Sequence, residues 1–146
     1  MDLQGHRGAR GLAPENTLAS IEAAFAAGAS HMEIDIRLTA DGVAVLMHDD
    51  TVVRTTNGTG SVAAMSLAQL KQLDAGSWFG PEFAGTPVPT LAEALQVAAG
   101  RGRLLLDVKV DGMGAAIQQA LVEAGMDHAA IWPWRAVAAS SAVWSS

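Results

Sequence analysis

Two carboxylates stand two residues apart in Met32-Glu33-Ile34-Asp35-Ile36. On a strand that spacing points both side chains the same way, about 6–7 Å apart. Acids so placed can share a hard divalent cation, because Mg²⁺ and Ca²⁺ take oxygen ligands and leave room for water and phosphate. The same spacing also suits a half-exposed strand whose Glu33, Asp35 and Arg37 simply face water. His48 follows the apolar run Val43-Ala44-Val45-Leu46-Met47 and precedes Asp49 and Asp50, so it sits where a buried strand opens into a loop. The carboxyl ends of parallel strands are where α/β proteins build their sites, although a histidine there can also be a hydrogen-bonded structural residue. His6 lies in Gly5-His6-Arg7-Gly8, where flanking glycines allow close approach to the backbone and Arg7 offers a fork suited to phosphate oxygens. Asp107 and Lys109, again two apart, follow the apolar Leu104 to Leu106 and could be no more than an internal ion pair. Solvated charges have no reason to recur in or at the ends of separate strands. Two imidazoles, three carboxylates and two cations are the parts of a phosphoryl-transfer or phosphodiester-hydrolysis site.

The elements that must position these groups alternate between short apolar runs and capped helical patterns, as expected of strands joined by crossover helices. Strands are predicted over Met32 to Leu38, over Val43 to Met47 as a buried parallel strand, and over Leu104 to Val108. A fourth is predicted over Ala129 to Trp132, with a stub at Leu3-Gln4-Gly5. A helix capped by Asn16 or Thr17 carries Leu18, Ile21, Ala24 and Phe25 along one stripe to Gly28. Ser66-Leu67-Ala68-Gln69 and Thr90-Leu91-Ala92-Glu93 have the capping-box pattern, Gly100 is a natural stop, and a last helix is predicted from Ala115 to Ala124 before Gly125. Ser77 to Pro89 reads as an irregular excursion of functional or covering kind, whose Trp78 and Phe79 pack onto the core or line a cleft. His31 and His128 stand where exposure or a local hydrogen bond accounts for them.

The chain has 146 residues, half of them hydrophobic, a formal charge of -6 and no cysteine. That composition describes one globular domain over residues 1–146, without a disulfide framework, thiolate metal site or thiol nucleophile. Nine Lys and Arg residues give no broad cationic surface, so nucleic acid is not an expected partner. No basic and apolar leader opens the sequence, and no run reaches the roughly 18 apolar residues of a membrane span, so a cytoplasmic location without a transmembrane segment is expected.

The ordered motifs His6-Arg7-Gly8, Pro14-Glu15-Asn16-Thr17, Glu33-Ile34-Asp35 and His48-Asp49 resemble those of the glycerophosphodiester phosphodiesterase family. Thr39-Ala40-Asp41-Gly42, Arg54-Thr55-Thr56, Pro89-Thr90-Leu91 and Asp107-Val108-Lys109 resemble the family's following signatures. The resemblance implies a (β/α)₈ barrel that hydrolyses small-molecule glycerophosphodiesters to glycerol 3-phosphate and an alcohol with a divalent metal, Mg²⁺ or Ca²⁺, or Mn²⁺. It implies His6 and His48 as the general acid/base pair, either imidazole suiting either role, and Glu33, Asp35 and Asp107 as metal ligands. Arg7 and Lys109 would hold phosphate, and about 61–89 would be a small insertion capping the barrel. An eight-unit barrel needs about 250 residues, at least 200, so a partial, truncated barrel is expected. Its open edge would favour a homo-oligomer, unless the tryptophan-bearing tail covers it. Two rivals stand beside the hydrolase: a non-catalytic remnant that keeps a metal and phosphate pocket, and a phosphodiesterase directed at lysophospholipids.

Overall fold

The computed structural model describes residues 4–127 and 130–136. Leu3, His128 and Ala129, which figure in the expectations above, lie outside them, as do residues 137–146 of the tryptophan-bearing tail. The first strand, β1 (Gln4–His6), leads through a loop to α1 (Leu18–Ala26), whose N-terminus is closed by a reciprocal cap between Thr17 and Ser20. Then come β2 (His31–Leu38) and β3 (Ala44–Leu46). A long irregular segment carries 3-10 turns at Val62–Ala64 and Pro81–Phe83 and one short helix, α2 (Leu67–Lys71). The chain continues through α3 (Leu91–Ala98), β4 (Arg103–Val108), α4 (Gly114–Ala124) and β5 (Ile131–Ala136).

Strands β1, β2, β4 and β5 are parallel neighbours in chain order, joined by helical crossovers. That order never reverses, so there is none of the switch point of a doubly wound sheet; this is the winding of a barrel wall. The structure is thus part of an α/β barrel. Among the described residues β1 and β5 each have a strand neighbour on one side only, and no helix is long and apolar enough to cross a membrane.

One strand departs from expectation. Residues 43–47 do not form a parallel strand, because β3 pairs antiparallel with β2, Leu38 opposite Ala44 and Ile36 opposite Leu46. The link from Thr39 to Val43 is far too short for a crossover, which needs a dozen or more residues. Instead Thr39 closes a tight turn by exchanging backbone bonds with Val43 and Gly42, and Gly42 takes φ +81. The last strand also begins two residues later than predicted and runs on to Ala136, because periodicity marks an apolar run better than its ends.

The alternation along β2 separates two faces. Met32, Ile34 and Ile36 are fully buried among Ile21 and Ala24 of α1, Leu91 and Leu95 of α3, and Ile117 and Leu121 of α4. The opposite face carries Glu33, Asp35, Leu105 and Asp107. A second, smaller core of Val45, Met47, Val52, Val62, Leu70, Ala75 and Val88 gathers the segment from 61 to 89 against β3 and the turn after it. Within that segment Trp78 meets Phe79, and Phe79 meets Phe83, edge to face at 5.8 and 5.5 Å. Trp78 remains 42% exposed, so the aromatics pack largely on one another.

Candidate active site

Because β1, β2 and β4 run the same way, their carboxyl ends meet at one rim. The pairing sets His6 beside Glu33 and Asp35 beside Asp107. His6 ends β1, Arg7 follows it, and Lys109 follows the last residue of β4. His48 comes two residues after β3, where the Met47 amide donates to the Asp35 carbonyl. All seven expected residues therefore lie on, or within two residues of the ends of, strands that the sequence separates by a hundred positions.

Carboxylate oxygens of Glu33, Asp35 and Asp107 lie within 4.8 Å of one another. The three residues are only 6%, 1% and 8% exposed, which removes the reading of β2 as a strand with a solvated polar face. Lys109 Nζ donates to Asp107 Oδ2 at 2.9 Å and stands 3.4 Å from Asp35 Oδ1. Arg7 Nε stands 3.4 Å from Asp35 Oδ2, and His6 Nε2 is 3.2 Å from Glu33 Oε2. Yet Glu33 Oε1 and Asp35 Oδ1, both buried, accept no hydrogen bond. Buried oxygens without donors are costly. An all-oxygen donor set with two such atoms fits a hard divalent cation, and these three carboxylates would hold it.

The electrostatics follow from this crowding. Burial first, then the neighbouring Asp35 and Asp107, pushes the Glu33 carboxyl up to about 7. Burial, then Arg10 and Arg7, holds the His6 imidazole below its ordinary value. The contact with Glu33 does not reverse this direction, since a carboxyl that keeps its proton toward neutrality exerts little pull.

Several residues to which the sequence assigns no part in the site hold this arrangement. Asn16 is not the helix cap; Thr17 is. Asn16 instead donates from Nδ2 to Asp35 Oδ2 at 2.9 Å and accepts the Asp35 amide at its Oδ1 at 3.1 Å. It reaches Asp35 by taking φ +55, and Arg7 has φ +54; among the described residues no other non-glycine has a positive φ. The Arg7 backbone is pinned on both sides, its amide donating to the Glu33 carbonyl and its carbonyl accepting from the Asn16 amide and Ser20 Oγ. Ser20 lies so close that a Cβ on Gly8, itself at φ +74, would stand 2.2 Å from Ser20 Oγ. Glu15 takes a two-pronged bond from Arg54 and another from Arg7 NH1. Burial raises its carboxyl, but Arg54 and Arg7 outweigh burial and hold it below the usual range. Arg54 also grips Asp49, which accepts His48 Nδ1 at 2.8 Å. Glu15, Asn16 and His48 line one small cavity with Thr55, Ala75 and Pro89, so His48 opens onto the space beside the residue that holds Asp35. His31, by contrast, bonds locally to Ser30.

The sequence model of the glycerophosphoryl diester phosphodiesterase family matches residues 6–142. A glycerophosphodiester phosphodiesterase of Bacillus subtilis is 37% identical over 131 residues, which are 84% of this chain and 45% of that protein. The crystal structure of a glycerophosphodiester phosphodiesterase from Agrobacterium tumefaciens superposes with TM-score 0.84 at 37% identity, over 92% of this chain and 57% of that one. An Oleispira antarctica phosphodiesterase in complex with the product sn-glycerol-3-phosphate superposes with TM-score 0.76 at 39% identity, over 93% of this chain and 55% of that one. The chain thus spans about half the length of the relatives it matches.

Proposed function

The chain belongs to the glycerophosphoryl diester phosphodiesterase family, and from that premise we propose that it hydrolyses glycerophosphodiesters, releasing glycerol 3-phosphate and an alcohol. The observation that carries the reading is the gathering of Glu33, Asp35 and Asp107 within 4.8 Å, with two buried oxygens lacking donors. In this reading the three acids hold a divalent cation, for which Mg²⁺, Ca²⁺ and Mn²⁺ are all suited by an oxygen donor set. Such a cation, when bound, offsets charge on the phosphate oxygens. Arg7 and Lys109, each paired with Asp35 from one side, steady the phosphate by charge and by directed N–H groups. His6 and His48 divide the proton work: one imidazole takes a proton from the attacking water as its oxygen bonds to phosphorus, and the other gives a proton to the departing alkoxide as its P–O bond breaks.

The test is release of glycerol 3-phosphate from glycerophosphocholine with Mg²⁺, Ca²⁺ or Mn²⁺, beside His6→Ala and His48→Ala. Turnover that requires both the metal and the histidines is expected. Metal binding without turnover would favour the non-catalytic remnant, and turnover of lysophosphatidylcholine alone would favour the lipid-directed enzyme. On the same reading the open barrel edge, left at β1 and β5 among the described residues, pairs with a second copy of the chain, giving a dimer by light scattering at micromolar concentration; a monomer would refute that pairing.

A further inference from the structure

Between Glu15 and His48 runs a line of charged contacts that the proton-transfer scheme does not use. Arg54 donates from NH1 and NH2 to the two oxygens of Glu15, both at 2.9 Å, across 39 positions of sequence. From Nε and NH2 it donates also to the two oxygens of Asp49, at 2.9 and 3.0 Å. Asp49 Oδ1 then accepts His48 Nδ1 at 2.8 Å. The His48 backbone is fixed separately, its carbonyl accepting from Arg37 Nε and NH2 at 3.1 and 2.8 Å. Asp49 is therefore the ring partner that the structure gives His48, and Arg54 is what holds Asp49.

We infer that Arg54 is a positioning residue that, through Asp49, fixes His48 as the Nδ1–H tautomer and leaves Nε2 free for proton transfer. The inference rests on the proposed acid/base role of His48 for its meaning in catalysis, though not for its geometry. An ionised carboxylate only accepts hydrogen bonds, so a neutral His48 held by Asp49 must carry its proton on Nδ1. Hydrogen bonding from Arg54 is the largest influence on Asp49 and, against burial, keeps its carboxyl well below the usual range, so it stays an acceptor through the neutral region. Glu15 anchors the guanidinium from the other side; its side chain is 7% exposed while that of Arg54 is 45% exposed, so the buried end of the line is the carboxylate. Only a planar fork with several donors can satisfy two carboxylates at once, which a lysine ammonium cannot do with the same geometry.

The test reads the tautomer directly, from two-bond ¹H–¹⁵N correlations of histidine-labelled, metal-free chain at pH 8. Wild type is expected to show His48 as Nδ1–H. Arg54→Ala and Asp49→Asn should both shift His48 toward Nε2–H, the form a free imidazole prefers, and millimolar guanidinium should restore Nδ1–H in Arg54→Ala but not in Asp49→Asn. Turnover of Arg54→Ala should fall about 10²-fold, the low end of what a general acid or base contributes. A folded Arg54→Ala that keeps the wild-type tautomer overturns the inference. If Arg54→Ala does not fold, Arg54→Lys must show the same shift, and an unshifted ring there overturns it equally. His48→Ala separates the two readings: wild-type turnover in that variant removes the acid/base role while leaving the tautomer result to stand on its own.

Discussion

Replacing Glu33 by glutamine should stabilise the metal-free protein and weaken its response to metal. Glu33 is 6% exposed and shares its corner with Asp35 and Asp107, and its carboxyl is raised to about 7 from an ordinary 4.5. Between those pH values the folded chain binds more protons than the unfolded chain, so stability falls as pH rises through the interval. At about 1.4 kcal/mol per pH unit the full penalty above pH 7 is about 3 kcal/mol, absent below about pH 4.5. Glutamine keeps the shape and cannot carry the charge. In EDTA at pH 8.5, Glu33→Gln should therefore exceed wild type by up to about 3 kcal/mol, roughly 9 °C in Tm for a chain of this size. At pH 5 most of that difference should vanish. A divalent cation should close that gap and, near a thousand times its Kd, reverse the order, because a ligand adds about 2.7 kcal/mol at a hundred times its Kd and about 4.1 kcal/mol at a thousand to the protein that binds it, and little to the one that has lost a ligand. Urea melts at both pH values, with EDTA and with 10 mM Mg²⁺ or Ca²⁺ as working concentrations of about that order, give all the quantities. Equal stabilities at pH 8.5 in EDTA, or equal metal responses in the two proteins, would refute the crowded-carboxylate account.

Asn16→Ala removes both hydrogen bonds to Asp35 and places alanine at φ +55; metal affinity should fall about tenfold or more, read by calorimetry. Gly8→Ala puts a Cβ 2.2 Å from Ser20 Oγ and 2.7 Å from the Ser20 carbonyl carbon at φ +74, and should cost at least about 2 kcal/mol in urea denaturation. Ile34→Ala empties a fully buried position on the helix-facing side of β2; about 2–5 kcal/mol of stability should go while the metal affinity of the folded protein stays unchanged.

The parts of this architecture written in local chemistry were legible in the sequence. The reciprocal caps at Ser66 and Thr90 stand as predicted, because a hydroxyl and a residue three positions on suffice to make them. Gly125 ends α4 in the left-handed conformation, φ +70. The alternation of Met32 to Leu38 set the acids and the apolar residues on opposite faces. Long-range pairing was less legible. An apolar run reads alike for a parallel and an antiparallel strand, so the orientation of β3 depended on the length of its turn, not on its composition. Asn16 looked like a cap because asparagine favours caps; its contact with Asp35 depends on a positive φ that no spacing reveals. Arg54 could be found only as part of Arg54-Thr55-Thr56, since its partners Glu15 and Asp49 lie 39 and 5 positions away and meet only in the folded chain.

The charge of the site makes one more prediction, about the order of binding. Arg7, Arg54 and Lys109 are joined by contacts of 3.4 Å or less to Glu15, Asp35, Asp49 and Asp107, and Glu33 completes the carboxylate corner. Within this ion-paired set three fixed cations thus face five carboxylates, a deficit of two when all are ionised. Protonating Glu33 relieves half of it near neutrality; a divalent ion relieves all of it. A phosphate monoester approaching the metal-free site would add negative charge to an existing excess, with Arg7 and Lys109 already engaged by Asp35. Phosphate and metal should therefore bind with positive coupling, each raising the other's affinity by the same factor. Coupling of about 1–3 kcal/mol, typical of linked sites, is five- to 150-fold in Kd. Calorimetric titration of glycerol 3-phosphate with and without Mg²⁺, and of Mg²⁺ with and without glycerol 3-phosphate, measures both factors. Phosphate affinity that is the same in EDTA as in Mg²⁺ would mean that Arg7 and Lys109 are free to bind it unaided, and the charge argument would fail.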